Sequence, residues 1–310
     1  AYIGFGAQPQ IVQVSVGTSF SGLNGAFLNY NQEIKGKTFE VIREQAKAKW
    51  NEVLNKVKVT GNDADKTLFY SALYRTKLSP RLFSDVDGTY PSFAGGKSLL
   101  KTDGFDYYCD YSLWDTFRAA MPLHHLLEPR QSGDMMQSLV KKAEQGDWMP
   151  IFPCWNQYTA AMIGDHVSSV MADAYVKNIR NFDVTTGYKY LRKNAFEANS
   201  NSESYAEGKG RRGMESYLKY GYIPMEDSVW QAFHKREQVS RTLEYAYDDF
   251  ALSVLAEGLG HEEDAKTLKK HALNYKNVID PATGYARGRY RNGKWIKPFD
   301  PFAKRSPFIT

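Results

Sequence analysis

No apolar run in the 310 residues approaches the roughly 18 needed to cross a bilayer, which excludes a transmembrane span. Cysteine is scarce. Cys109 and Cys154 are the only two, so a disulfide-stapled miniprotein is excluded, and the pair fits either a reduced protein or one bridge at the loop end of the fold. Neither sign of charge dominates: 40 basic and 35 acidic residues leave a net +5, mixed along the chain, which gives no footprint for nucleic acid. The six histidines show neither H-x-x-x-H nor H-E-x-x-H spacing, so zinc has no support. Position 1 is Ala, and no basic stretch followed by an apolar one comes after it, so no signal peptide is read here.

Aromatics, by contrast, are abundant: 21 Tyr, 17 Phe and 6 Trp. Beside many Asp, Asn and Arg, they suit a carbohydrate cleft, because sugar rings offer apolar CH faces and a rim of hydroxyls. An aromatic-rich core would give the same composition.

Residues 2–20 read as strand, with Val12, Val14 and Val16 alternating with Ile11, Gln13 and Ser15. A strand or two cannot stand alone, so residues 1–30 are expected to close an N-terminal β-sandwich. Beyond Gly36 the period becomes helical. Phe39, Ile42, Ala46, Trp50, Val53, Leu54 and Val57 predict a linker helix within 31–61, stopped near Gly61. Asn62 or Asp63 caps the next helix, which Pro80 ends. Residues 83–108 read as loop with short extended pieces. Helical stripes follow near 112–127, 131–145, 165–180, 212–220, 237–257 and 262–278. The last two form an αα-hairpin across Gly258–Leu259–Gly260, with Val239, Leu243, Ala246, Tyr247, Phe250, Val254 and Leu255 as the apolar face of the first helix. Stacked hairpins with long loops at one end suggest a helical toroid. Asn292–Gly293 then tips a short β-hairpin, the pair that favours a type I′ turn.

Gly208–Lys209–Gly210–Arg211–Arg212–Gly213 matches G-x-G-x-x-G, but residues 199–207 before it are polar and Ser-rich, not a strand. It reads as a flexible loop before a helix. His124 and His125 are adjacent on a helix, so at most one faces any given site. Arg287, Arg289, Arg291 and Lys294 read as the solvated face of the C-terminal hairpin. The carboxylates beside aromatics are more informative. Asp115, next to Trp114, either satisfies a helix terminus or accepts hydrogen bonds from sugar hydroxyls. Asp165–His166 opens a later helix, after Gly164 and a loop bearing Trp155. Glu244 and Asp248 share a face, with Asp249 beside them. Paired carboxylates in an aromatic cleft are what glycosidic hydrolysis requires.

Several motifs resemble the family 92 glycoside hydrolases: Ser112–Leu113–Trp114–Asp115–Thr116–Phe117–Arg118, Met162–Ile163–Gly164–Asp165–His166, Ala172–Asp173–Ala174–Tyr175–Val176–Lys177, and Thr242–Leu243–Glu244–Tyr245–Ala246–Tyr247–Asp248–Asp249–Phe250. Phe83–Ser84–Asp85–Val86–Asp87–Gly88 and Pro298–Phe299–Asp300–Pro301 add to them, in order along nearly the whole chain. The resemblance implies a mainly α fold: an incomplete (α/α)6 toroid in residues 62–310, preceded by linker helices and the last strands of a β-sandwich. It implies a secreted or periplasmic, calcium-dependent, inverting exo-α-mannosidase acting on mannose-rich glycans, with α-1,2 linkages expected.

By the same resemblance, Asp115 holds hydroxyls of the departing mannose with Trp114 beside it, and Arg118, Asp165 and His166 line the pocket. The family's general acid follows the segment resembling residues 305–310, and its general base and calcium ligands lie further on. The chain is therefore expected to need the remainder of its barrel and to be inactive alone. A non-catalytic glycan-binding or structural protein, or another (α/α)6 glycosidase, are the competing readings.

Overall fold

The structure is a computed structural model that describes residue 6, residues 11–229, residues 231–303, and residues 306 and 308. The expected N-terminal strand falls partly outside the described residues. Residues 11–20 form no strand, and Ile11, Val12, Val14 and Val16 stand exposed. A strand needs a neighbour for its amides and a sheet to cover its period-two face, and the described residues supply neither.

Instead the segment leads into α1 (Leu23–Glu33), a helix where the end of a sandwich was expected. It is pinned by Asp85. Ser19 Oγ donates to Asp85 Oδ2 at 2.9 Å and Asn29 Nδ2 donates to Oδ1 at 2.8 Å, while Asn29 Oδ1 accepts from Val86 N at 3.0 Å. Phe20 stacks on Phe83 with ring centroids 3.9 Å apart.

Helix α2 (Phe39–Leu54) begins at Thr38, whose side chain accepts from Val41 N. Helix α3 (Asp63–Thr76) begins at Asn62, whose Oδ1 accepts from Asp65 N at 2.9 Å; each cap fills one of the orphan amides of a first turn. The extended pieces pair as two small antiparallel ribbons, β1 (Arg81–Leu82) with β4 (Tyr108–Cys109) and β2 (Thr89–Pro91) with β3 (Leu99–Lys101). The stripe at 112–127 splits into α4 (Leu113–Thr116) and α5 (Ala120–Leu127), leaving Arg118 exposed at the break.

Then come α6 (Pro129–Gly146), α7 (Val167–Val176), α8 (Val184–Phe196), α9 (Ser202–Ala206), α10 (Met214–Tyr220), α11 (Gln238–Gly258) and α12 (Glu262–His271). Helix α8 has no counterpart in the sequence reading, although Asp183 caps it by accepting from Thr186 N at 2.9 Å. Helix α12 carries Glu262, Glu263 and Asp264 in its first turn and Lys269, Lys270 and His271 in its last, matched to both ends of its dipole.

Helices α5, α6, α7, α8 and α11 pack around one apolar core that includes Met135, Leu139, Val140, Val170, Met171, Leu252 and Leu255. The αα-hairpin of α11 and α12 forms as expected. The C-terminal hairpin differs in detail. Gly293 alone of the tip pair has positive φ, and its N–H donates to Tyr290 O at 2.9 Å, so the turn is a type I turn closed by a left-handed glycine. Its basic residues are not simply solvated. Arg287 pairs with Asp280 at 2.8 Å, and Arg289 lies over both Tyr222 and Trp295.

Helix α11 buries only part of its predicted apolar stripe: Val239, Ala246 and Leu255 are buried as expected, but the stripe's aromatics are not. Phe250 is 55% exposed and Tyr247 47%, while Leu252 is fully buried. Leu252→Ala is therefore expected to cost about 2–5 kcal/mol, and Phe250→Ala to stay within about 0.5 kcal/mol, in urea unfolding of this chain. Equal costs at the two positions would restore the apolar-stripe reading.

Candidate functional site

The buried face of α11 carries Gln238, Arg241, Thr242, Asp248, Asp249 and Ser253. Burying two adjacent aspartates requires compensating charge, because an unpaired ionised carboxylate in the interior costs several kcal/mol. The compensation comes from Arg211, fully buried in the glycine-punctuated loop. Its Nη1 donates to Asp249 Oδ1 at 2.5 Å, and its Nε donates to Asp165 Oδ2 at 2.9 Å. Tyr217 OH donates to the other oxygen of Asp249 at 2.9 Å. Burial pushes the carboxyls of Asp165 and Asp249 up, and Arg211 opposes that shift in both.

The loop is therefore not flexible filler. Gly208, Gly210 and Gly213 all take left-handed φ, and a Cβ at Gly208 would lie 2.7 Å from Thr159 O. These turns aim Arg211 inward.

Above this pair sits His166, stacked on Phe117 with centroids 3.9 Å apart. Its Nδ1 donates to Asp248 Oδ1 at 2.9 Å, while Asp248 Oδ2 accepts from Asp165 N at 2.7 Å. Burial alone would lower the imidazole, but Asp248, Glu244 and Asp165 outweigh it and hold it above its ordinary value. Its Nε2 is buried, makes no hydrogen bond and lies 3.7 Å from Glu244 Oε2.

Glu244 reaches the rim. Its Oε1 accepts from Trp114 Nε1 at 3.2 Å and lies 3.5 Å from the Arg118 guanidinium, which also stands over the Trp114 and Phe117 rings. Beside this group, Asp115 stays exposed and accepts from Ser112 Oγ at 3.0 Å. Asp110, Ser112, Trp155 and Asn156 all have positive φ, so two strained loops meet next to Asp115, joined by Trp155 N donating to Asp110 Oδ1 at 2.7 Å.

The structure thus brings Trp114 and Arg118 together over Glu244, with the exposed Asp115 next to Trp114 in the chain and the buried His166 beneath. Asp165 differs from expectation: it is fully buried against Arg211 and does not line the surface, because its charge is stable only where that guanidinium reaches it. Arg211 was missed, since the loop holding it was set aside as flexible; its signal is an Arg between glycines, opposite three aspartates on other segments. His124 and His125 diverge as their adjacency requires, His124 onto Thr76 O and His125 onto Asp173. Cys109 and Cys154 are both free, so no bridge forms.

Among the described residues, no three His, Cys, Asp or Glu side chains are grouped to hold a metal, and the clustered aspartates are already committed to Arg211 and His166.

Arg211→Met is expected to destabilise the chain by roughly 3–5 kcal/mol at neutral pH, since it leaves two buried carboxylates uncompensated. The sign with pH follows from their raised folded values: protonation relieves the penalty, so the deficit should shrink as pH falls through them. Urea unfolding of wild type and variant from neutral to acid pH measures it. A deficit that grows on acidification would contradict the pairing.

Three comparisons with known proteins agree. The catalytic domain of glycosyl hydrolase family 92 matches residues 25–309. A secreted glycosidase of Arthroderma benhamiae, itself uncharacterised, is 30% identical over 306 residues; the match covers 93% of this chain and 34% of that protein. A family GH92 α-mannosidase from Bacteroides thetaiotaomicron superposes with a TM-score of 0.84 at 33% identity, over 94% of this chain and 37% of its own. A family GH92 inverting mannosidase of the same bacterium gives 0.84 at 30% identity, over 94% and 38%. The chain spans little more than a third of the length of these relatives. It belongs to glycosyl hydrolase family 92 and forms part of that family's catalytic domain.

Proposed function

We propose that this chain is part of an inverting exo-α-mannosidase, secreted or periplasmic, that trims mannose-rich glycans with α-1,2 linkages preferred. The carrying observation is the rim: an indole, a guanidinium and an exposed carboxylate at Trp114, Arg118 and Asp115, set over a buried ionic layer. Such a rim suits a pyranose, with Trp114 offering an apolar surface and Asp115 accepting from hydroxyls. The family relative solved with mannoimidazole, a mannose-shaped ligand by its name, supports the sugar, and the secreted relative supports the compartment. No helix of the described residues is long and apolar enough to cross a membrane.

In this reading residues 62–310 supply the first part of an (α/α)6 barrel, and the remainder supplies the general acid, the general base and the calcium ligands. Acid and base must stand about 6.5–9.5 Å apart across the scissile bond for inversion. Within the chain, the carboxylates of Asp165, Asp248 and Asp249 are tied to cations and cannot take either part without breaking the core. That commitment also favours the second reading, a glycan-binding module without catalysis.

Two outcomes test the proposal. The purified chain should release no detectable product from an aryl α-mannoside, with or without calcium. In a complete enzyme, Asp115→Ala should lower kcat/KM at least ~100-fold, if two charged hydrogen bonds of about 1.5–3 kcal/mol each are lost, while the melting temperature holds. Near-normal turnover with a lowered melting temperature would return Asp115 to a purely structural role.

A further inference from the structure

Glu244 lies between two layers that are also linked through Phe117, which stacks on His166 and lies under the Arg118 guanidinium. On its outer side are Trp114 Nε1 and the Arg118 guanidinium, both contributed by the α4 segment and both at the rim. On its inner side is the unpartnered Nε2 of His166, locked from behind by Asp248 and from the face by Phe117. An indole N–H and a guanidinium fork both need a fixed acceptor to hold one orientation; Arg118, half exposed and stacked over the Trp114 and Phe117 rings, takes its carboxylate partner from Glu244. We propose that Glu244 is a positioning residue that fixes Trp114 and Arg118 at the rim from the buried His166–Asp248 pair. This rests on the reading of the rim as a sugar site.

The geometry makes the tie depend on the charge of His166. The charged groups facing the imidazole are Glu244 and Asp248 from α11 and Asp165 from its own loop; Arg118 stands behind Glu244, and Arg211 behind Asp165. While the ring is cationic, its Nε2–H points positive charge at Glu244 and draws the carboxylate inward. When the ring loses its proton, Nδ1 keeps the hydrogen that Asp248 accepts, so Nε2 becomes a lone pair facing a carboxylate. Attraction turns to repulsion, and the rim loosens. His166 titrates above its ordinary 6.5, so its contribution is present below that value and is lost as pH rises through the folded one. Burial raises Glu244 as well, which moves the acid limit of the ion pair upward. The tie therefore holds in a window between the two.

Glutamine separates charge from shape. In Glu244→Gln the side-chain oxygen still accepts from Trp114, and the amide N–H can donate to the neutral Nε2, so the rim should stay fixed on the alkaline side.

The test uses the full chain labelled with 5-fluorotryptophan, the Trp114 fluorine resonance being assigned by its disappearance in Trp114→Phe. In wild type this resonance should shift as pH rises from about 6 to about 9, and methyl α-mannoside should bind at least ~10-fold more weakly at the upper end, a factor equivalent to about 1.4 kcal/mol. In Glu244→Gln neither change should appear with the wild-type sign, because the rim is then held on the alkaline side. In Glu244→Ala the resonance should be displaced at every pH, with the melting temperature reporting whether the fold is intact. A Trp114 resonance that does not titrate, or that titrates identically in Glu244→Gln, overturns the proposal. A resonance that titrates as expected but does not respond to the mannoside supports the tie and overturns the sugar reading of the rim.

Discussion

A single guanidinium sets the terms for the packing of this molecule. Arg211 is fully buried between Asp165 and Asp249, two carboxylates that come from a loop and from the longest of the described helices. Neither aspartate can be buried without it, and it cannot be buried without both. A lysine would not serve, because one ammonium cannot present two planar donors to acceptors on different elements. Three segments far apart in the chain must therefore meet at one point, and they do so through directional bonds that admit little displacement. Asp248 extends the arrangement to His166, and Glu244 extends it to the rim.

Helix α11 organises these layers along its length. Glu244, Asp248 and Leu252 are four residues apart and so fall on one face, each a turn deeper than the last. The first is at the rim, the second in the ionic layer and the third in the apolar core shared with α6, α7 and α8. The site thus rests on a helix held by packing along its whole length, through Val239 and Tyr245 as well as Leu252 and Leu255, with charge added where Asp248 and Asp249 are buried. That support explains how a rim built from a four-residue helix and strained loops can keep its geometry.

What could be read from the residues follows the same division. Helices α2, α3, α6 and α12 were legible as helices, the first two starting at the common capping residues Thr38 and Asn62, although the apolar stripe expected on α2 buries no residue and Phe39 stands 64% exposed. Helix α11 was legible as a helix but only in part in orientation. Hydrophobic periodicity assumes that only apolar residues are buried, and here partners on other segments let Asp248, Asp249 and Arg241 be buried alongside Val239, Ala246 and Leu255 while Tyr247 and Phe250 face out. Trp114, Arg118 and His166, named through the family motifs, meet around Glu244, and Asp115 stands exposed beside them in the chain. Arg211 was not named, because its significance lies in partners 38 and 46 residues away that no local pattern connects. The strand expected near residues 11–20 failed for the opposite reason: its alternation is real, but a strand is defined by a neighbour.

The glycine-rich loop shows where motif reasoning succeeds and where it stops. The loop follows helix α9 rather than a strand, and Arg211 turns inward onto Asp165 and Asp249. The step from there to a flexible loop does not hold. Left-handed glycines allow the backbone to turn tightly whatever the turn is for: in a nucleotide fold they bring amides to a phosphate, and here they bring a guanidinium to two carboxylates. The close approach of Gly208 to Thr159 O leaves no room for a side chain, so the glycine is required by packing, with the anions that Arg211 meets supplied by the protein itself.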